Sequence, residues 1–326
     1  MRYPAAEKLE IIRPVEQSHL SVRRTLAKIG IPPTTFYRWY DRFVEHGPEG
    51  LEDRPSSPSR VWNRIPETVR DRIVNLALEE PELSPRELAV RFTDTEKYFV
   101  SEASVYRLLK SHDLITSPAY IIIKAADAFK EKTTAPNQMW QTDFTYLKVI
   151  GWGWFYLSTI LDDYSRYVVG WKLCGTMRAE DVTDTLDIAL AASGCDSAKV
   201  LHKPRLLSDN GSSYIAGDLA EYLADKGMAH VRGAPMHPQT QGKIERWHQT
   251  LKNRILLENY FLEGELEAAI AAFIDHYNNH RYHESIGNLT PADVYFGRGE
   301  TILTERRRIK QQTIQNRRLN HQRQAA

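Results

Sequence analysis

The sequence predicts a mixed α/β domain preceded by two all-helical units. Two observations carry this expectation. Residues 138–174 hold three β-rich runs, QMWQTDFTYLKVI, WGWFYLSTILDD and RYVVGWKL, joined by short turns in the manner of an antiparallel meander. Residues 5–112 instead carry apolar residues at helical spacing, punctuated by Gly, Pro and Ser.

Taken in order, Lys8 to Val15 reads as a short first helix. Ser21 stands at the N-cap of VRRTLAKIG, where Val22, Leu26 and Ile29 share a face and Gly30 stops the helix. IPP turns the chain, and Thr34 or Thr35 caps TTFYRWYDRFVEHG, with Phe36, Trp39, Tyr40 and Phe43 inward. Helix, tight turn, helix is the helix-turn-helix pattern, shared with plain three-helix bundles. Thr35, Tyr37, Arg38 and Arg42 on the polar side of the last helix suit phosphates or base edges.

Residues 1–50 form this first unit, and 51–64, rich in Pro, Ser and Arg, read as a linker. Residues 65–115 form a second helix-turn-helix. Pro66 starts its first helix, Ser84–Pro85 caps SPRELAVRF and Ser101 caps SEASVYRLLKSHDL. The longer turn TDTEKYFV leaves room for a small wing. Arg60, Arg64, Ser104 and Arg107 are further candidates for DNA contact. Residues 116–136 are a connector, 137–298 the α/β core and 299–326 a basic tail.

In the core, AEDVTDTLDIALAAS has helical period, PRLLSD is a short strand, SSYIAGDLAEYLADK a helix and MAHVRGA a short strand. A long helix starts near Gln241, with Ile244, Trp247, Leu251 and Ile255 facing the core. Three antiparallel strands followed by alternating helix and strand is the element order of a ribonuclease-H-like fold, a mixed five-stranded sheet with flanking helices.

Three carboxylates stand at telling places. Asp143 lies inside the first strand, Asp209 where RLLS ends before the turn pair Asn210–Gly211, and Glu245 in the first turns of the long helix, with 35 residues between Asp209 and Glu245. Acids on separate elements suit hard divalent cations such as Mg²⁺, which takes a few protein carboxylates and keeps waters and phosphate oxygens. Two such ions about 3.5–4 Å apart activate an oxygen nucleophile and stabilise the leaving oxygen in phosphoryl transfer. Gln249 and Lys252 share the Glu245 side of the helix, which lets Lys252 reach a phosphate or a terminal base. Lys243 and Arg246 flank it.

The segments WQTDFTYL, LDDYSRYVVGW, SDNGSSY, HPQTQGKIERWHQTLK and FIDHYNNHRYHESIGNLTPADVYF resemble the catalytic core of insertion-sequence transposases in the retroviral-integrase superfamily. The strong motifs cover residues 137–296, and the helical front extends the likeness more loosely. The resemblance implies Asp143, Asp209 and Glu245 as catalytic metal ligands of a DDE site. It implies two Mg²⁺ ions, with Mn²⁺ able to substitute, and cleavage and strand transfer at the terminal inverted repeats of a mobile element. It implies double-stranded element and target DNA as partners, a homodimer or larger assembly on DNA, and a bacterial, nucleoid-associated setting. A catalytically inert DNA-binding regulator and a ribonuclease-H-like nuclease without joining activity are the alternatives. The chain departs from related transposases in carrying Arg281-Tyr282-His283 where Arg-Pro-His is usual, and it has neither a His/Cys zinc module nor a long leucine heptad.

Bulk composition sets limits. The chain has 326 residues, 42% hydrophobic and 26% charged, with net charge +1. From Glu305 onward there are seven Lys/Arg and one acid, so the basic excess is confined to the tail. The tail, with Arg306, Arg307 and Arg308, reads as a phosphate-binding helix or arm, or as solvated disorder. The two cysteines form no metal or disulfide framework, no Walker-type loop calls for ATP, and no apolar run is long enough for a membrane span. A charged N-terminus without an apolar core fits the cytoplasm. Asp162 and Asp163 read as turn formers, His276, His280 and His283 as structural rather than zinc-binding, His237 as a loop residue, and Trp152, Trp154 and Trp171 as core.

Overall fold

Apolar residues at helical spacing close a small core in the first helical unit. Helices α1 (Ala5–Glu16), α2 (Val22–Ile29) and α3 (Pro33–His46) bury Ile12, Leu26, Phe36 and Trp39 against one another. The structure, a computed structural model, describes residues 3–52, 61–115, 133–197, 202–233 and 241–325. It divides into two compact units, Met1–Trp62 and Asn63–Gln324.

The helix α2 ends as its sequence requires, at Gly30 with φ 77°, in the left-handed region. Two details differ from expectation. The third helix begins at Pro33 rather than at the threonines, because proline at the first helical position has its φ already set and no amide to satisfy. Ile29 is 41% exposed, and Ile31 in the turn takes its place in the core.

In the second unit, α4 (Glu67–Glu79), α5 (Pro85–Glu96) and α6 (Glu102–Ser111) pack around Ile73, Leu88, Phe92 and Val105. Ser84 and Glu87 form a reciprocal capping box at the start of α5, and Ser101 accepts from the Ser104 amide at the start of α6. The room left for a wing is absent: Thr93 to Glu96 continue α5, and no strand lies among residues 61–115.

The core sheet has the order β3-β2-β1-β4-β5. Strands β1 (Met139–Val149), β2 (Gly153–Asp162) and β3 (Val168–Cys174) form the antiparallel meander. The short β4 (Arg205–Ser208) and β5 (His230–Arg232) add in parallel to β1. This is the ribonuclease-H-like arrangement that the element order predicts. Helices cover both faces. On one, α10 (Gly242–Ile255) and α11 (Glu263–Asn279) bury Ile244, Trp247, Leu251 and Ile255 against Leu147, Val149 and Leu157. On the other, α7 (Ala179–Ser193) and α9 (Gly217–Asp225) bury Val182, Leu186 and Leu219 against Trp140, Ile160 and Leu206. The helix expected over SSYIAGDLAEYLADK is two: α8 (Ser212–Ile215) precedes α9, and Ala216 between them is extended.

Two residues fix the helices to the sheet. A Cβ on Gly170 of β3 would stand 2.9 Å from the Cβ and backbone nitrogen of Ala189, so α7 crosses β3 where only glycine fits. Asn278, buried near the end of α11, accepts from the Val168 amide at 2.9 Å and donates to its carbonyl at 3.1 Å. It thereby completes the start of β3 as a strand neighbour would.

The basic tail is a helix, α13 (Gly299–Ala325), which follows the short α12 (Pro291–Tyr295). It lies against the second helical unit. Ile309, Thr313 and Arg317, at i, i+4 and i+8, are buried. Thr313 accepts from the Phe99 amide at 3.0 Å, while Arg317 donates to the Tyr98 hydroxyl, the Phe99 carbonyl and Asn63.

Gly170→Ala is expected to cost about 1–3 kcal/mol of stability through overpacking against α7, read as a lower urea midpoint. His283, edge-on to Tyr277 at 4.9 Å, has its pKa lowered to about 3, by burial first and then by Arg281 and other arginines. The folded imidazole stays neutral while the unfolded one titrates near its ordinary value, so below that value the unfolded state binds more protons. The contribution is present above about pH 6.5 and is lost as pH falls toward 3. His230 and His276 are lowered in the same direction. The urea midpoint should fall between about pH 7 and pH 5, and His283→Gln should shallow that fall.

Candidate active site

Asp143 occupies a core-side place in β1. Along that strand face run Gln141, Asp143, Thr145, Leu147 and Val149, the face on which α10 lies. The parallel pairing with β4 sets Gln141 opposite Leu207. That pairing ends there: Asp143 lies two residues further along β1, and Asp209 follows the last residue of β4. Their closeness shows in Tyr214, whose hydroxyl burial pushes well above its ordinary range, with the charges of Asp143 and Asp209 pushing the same way.

Each acid is held locally. Asp143 accepts from the Phe144 amide at 2.8 Å, on the stretch of β1 that the short β4 no longer covers. Asp209 accepts from the Gly211 amide at 2.8 Å, closing a side-chain turn. A Cβ on Gly211 would come within 3.0 Å of that same Asp209 oxygen, so glycine here serves close approach rather than a positive φ. Asn210 fixes the far side of the turn by donating to the Gly233 carbonyl.

Glu245 is exposed in the first turn of α10. The helix is brought to Asp143 by two contacts. The Ile244 amide donates to the side chain of Gln141 at 3.1 Å, and His248 Nδ1 lies 3.4 Å from Asp143 Oδ2. His248, one turn beyond Glu245, is 6% exposed and packs on Trp247. Asp143 and Asp209 thus fit a divalent cation in donor type and position. Glu245 is beside the pair rather than in it: among the described residues no three acidic, imidazole or thiol groups lie close enough to share one ion.

Beneath this surface, Asp163, which the sequence presents as a turn former, is 4% exposed and joins three elements. Its carboxylate accepts from Gln141 Nε2 at 2.8 Å and Thr133 Oγ1 at 2.6 Å, and pairs with Lys243 Nζ at 2.7 Å. Lys243 also donates to the Asp163 carbonyl. Burial lowers the Lys243 pKa, with the nearby Arg166 adding to it and Asp163 opposing it. Asp162 is the turn former expected, accepting from the Ser165 amide and hydroxyl and the Asn137 amide; burial nevertheless raises its pKa. Gln141, Asp163 and His248 are the residues that sequence reasoning passed over. Gln141 alone carries a readable signal, two places before Asp143 on one strand face.

The other candidates divide by what they touch. Tyr37, Arg38 and Arg42 are exposed on α3, with Thr35 half-buried; Arg64 and Arg107 are exposed. Ser104 is engaged with Ser101 in the cap of α6. Arg246 is exposed, and Gln249 donates to Asn253. Lys243 is turned to Asp163, and Arg306 is turned inward to Asp94 at 2.6 Å and the Asn288 carbonyl at 2.8 Å. Arg307 and Arg308 stay at the surface, paired with Glu300 and Glu305 of their own helix. Arg60 and His237 lie outside the described residues. His276 and His280 have ring centroids 5.8 Å apart. Trp171 is half-buried as expected of a core residue, but Trp152 and Trp154 are 69% and 54% exposed.

The sheet order and flanking helices are ribonuclease-H-like, and the family matches name an integrase core. Residues 133–238 and 226–291 match two Integrase core domain families, residues 7–59 a Helix-turn-helix domain family and residues 35–109 a Homeodomain-like domain family. The chain is 28% identical over 191 residues to the transposase for insertion sequence element IS629 of Shigella sonnei, covering 57% of this chain and 62% of that protein. It is 28% identical over 160 residues to the transposase InsF for insertion sequence IS3A of Escherichia coli, covering 48% and 54%. The chain thus spans less than two thirds of these curated relatives. The HTLV-2 integrase catalytic core domain aligns at TM-score 0.40 and 20% identity over 49% of this chain and 97% of that one. The chain thus carries matches to Integrase core domain families and is similar to insertion-sequence transposases over about half its length. Proteins with this core depend on divalent metal ions. Among the described residues no helix is long and apolar enough to cross a membrane.

Asp163→Ala leaves Gln141 Nε2 and Thr133 Oγ1 without their acceptor and Lys243 without its carboxylate partner, though not without the backbone carbonyl. It should lower unfolding stability by about 1–3 kcal/mol, measured in urea, and reduce any metal-dependent activity of the core beyond what the stability loss accounts for.

Proposed function

We propose that the chain is a DNA transposase that binds the terminal inverted repeats of a mobile element and catalyses cleavage and strand transfer there. Asp143, Asp209 and Glu245 are its catalytic carboxylates. The observation that carries the reading is that Asp143 and Asp209 stand just beyond the paired ends of β1 and β4, both acting on the Tyr214 hydroxyl, with the Glu245 helix anchored beside Asp143 through Gln141. Similarity to insertion-sequence transposases over about half the chain supports it.

Residues 1–50 and 65–115 are the DNA-binding domains in this reading, 51–64 and 116–136 the connections, 137–298 the catalytic core and 299–326 a helical tail. Mg²⁺, or Mn²⁺ in its place, held by the three carboxylates supplies an activated oxygen nucleophile and neutralises charge developing on the phosphate. The chain's own residues set up that chemistry. The Gly211 amide fixes one Asp209 oxygen and leaves the other for a cation. Gln141 and Asp163 hold the start of α10, so Glu245 approaches the pair from a fixed direction. Lys252, two turns along α10, offers an ammonium to a phosphate. Joining needs two element ends held together, so the working form is a homodimer or larger assembly on DNA, in the bacterial cytoplasm at the nucleoid.

Asp143→Ala and Glu245→Gln should each reduce Mg²⁺-dependent nicking and joining of a duplex carrying an element end by at least about a hundredfold. End binding in a gel-shift assay should remain. Undiminished cleavage in either variant contradicts the assignment.

A further inference from the structure

Among the described residues no strand pairs with the β4 side of β1 past Gln141, and the β1–β2 hairpin exposes aromatic rings. Tyr146 is 57% and Trp154 54% exposed, and their rings meet edge to face at 5.4 Å. Two lysines lie over them. Lys252 of α10 places its ammonium 4.2 Å from the Tyr146 ring centre, and Lys148 lies 5.9 Å from that of Trp154. Trp154 is the cross-strand partner of Lys148, so rings and cations share one face of the hairpin.

On this basis, and resting on the transposase reading, we infer that Tyr146 and Trp154 form a stacking platform for an unpaired nucleotide of the strand that runs through the active site, with Lys148 and Lys252 taking its phosphates. Tyr146 is three residues from Asp143, roughly 10 Å along the strand and on the other sheet face, so the nucleotide reaches it past the edge of β1 that Lys252 rounds. Lys252 joins the two places physically, because it belongs to the Glu245 helix yet reaches the Tyr146 ring around the open edge of β1. An ammonium over an exposed ring is weakly held, so a phosphate can draw each lysine away and free the ring for a base. Stacking on aromatic faces tolerates any base but requires that the base be out of the duplex. Two ammonium groups with no acid among Tyr146, Lys148, Trp154 and Lys252 favour a polyanion over a second protein chain.

The full chain is titrated without metal with a duplex bearing a single-stranded thymidine tail and with the blunt duplex of the same sequence. Intrinsic tryptophan fluorescence is the readout. The tail should quench wild-type fluorescence. Trp154→Ala and Tyr146→Ala should each weaken tailed-duplex binding roughly tenfold while leaving blunt-duplex binding nearly unchanged, and Trp154→Phe should restore most of the loss. Equal affinity of the alanine variants and wild type for the tailed duplex overturns the platform. So does a Trp154→Ala variant that dissociates a DNA-free oligomer in light scattering with DNA affinity intact, since the patch then seats a second copy. The readout is binding without chemistry, so a failed platform with nicking intact is distinct from a failed transposase reading, in which nicking itself is missing.

Discussion

The carboxylate of Asp163 sits almost out of reach of solvent at the point where the sheet meets the Glu245 helix. It gathers a proton donor from β1, another from the segment leading into the sheet, and an ammonium from the first turn of α10. A buried charge is tolerated only when its lone pairs are taken up, and here each partner also determines geometry. Gln141 gives its amide to Asp163 and its carbonyl oxygen to the Ile244 backbone. One side chain therefore fixes the distance from the strand bearing Asp143 to the helix bearing Glu245. Asp143 and Asp209 each follow the last β1–β4 pair, Gln141 with Leu207, by two residues, and the Gly211 amide holds Asp209 in its turn.

Much of this was legible in advance. The meander, the alternation that follows and the core face of α10 obey periodicities of two and 3.6, and Ile244, Trp247, Leu251 and Ile255 are buried as that spacing requires. The three carboxylates stand out by their flanking residues as candidates for a metal site. The junction was not, because Asp163 draws its partners from 22, 30 and 80 positions away, and no local pattern distinguishes it from the turn-forming Asp162. The exposure of Trp152 and Trp154 was equally hidden, since it depends on tertiary packing rather than on the strand's own sequence.

The tail shows the same lesson in charges. Its seven basic residues suggested a surface for phosphate, yet Arg306 and Arg317 face protein. Arg306 binds Asp94 of the second helical unit and the Asn288 carbonyl of the core's closing segment. Arg317 is fixed by Tyr98, Phe99 and Asn63. Arginine's fixed fork suits such multi-point contacts, and net charge does not reveal which cations they engage. The second helical unit is therefore tied to the core by the last helix of the chain.

Asp143, Asp209 and Glu245, the last on a helix anchored beside Asp143, are proposed to hold divalent cations. Uptake of Mn²⁺ by the full chain, followed by the loss of the free-ion electron paramagnetic resonance signal, tests this most directly. The account predicts uptake by the wild-type chain that Asp143→Asn or Asp209→Asn removes while the fold, read by circular dichroism, is retained. Unchanged uptake in the doubly substituted chain would contradict it.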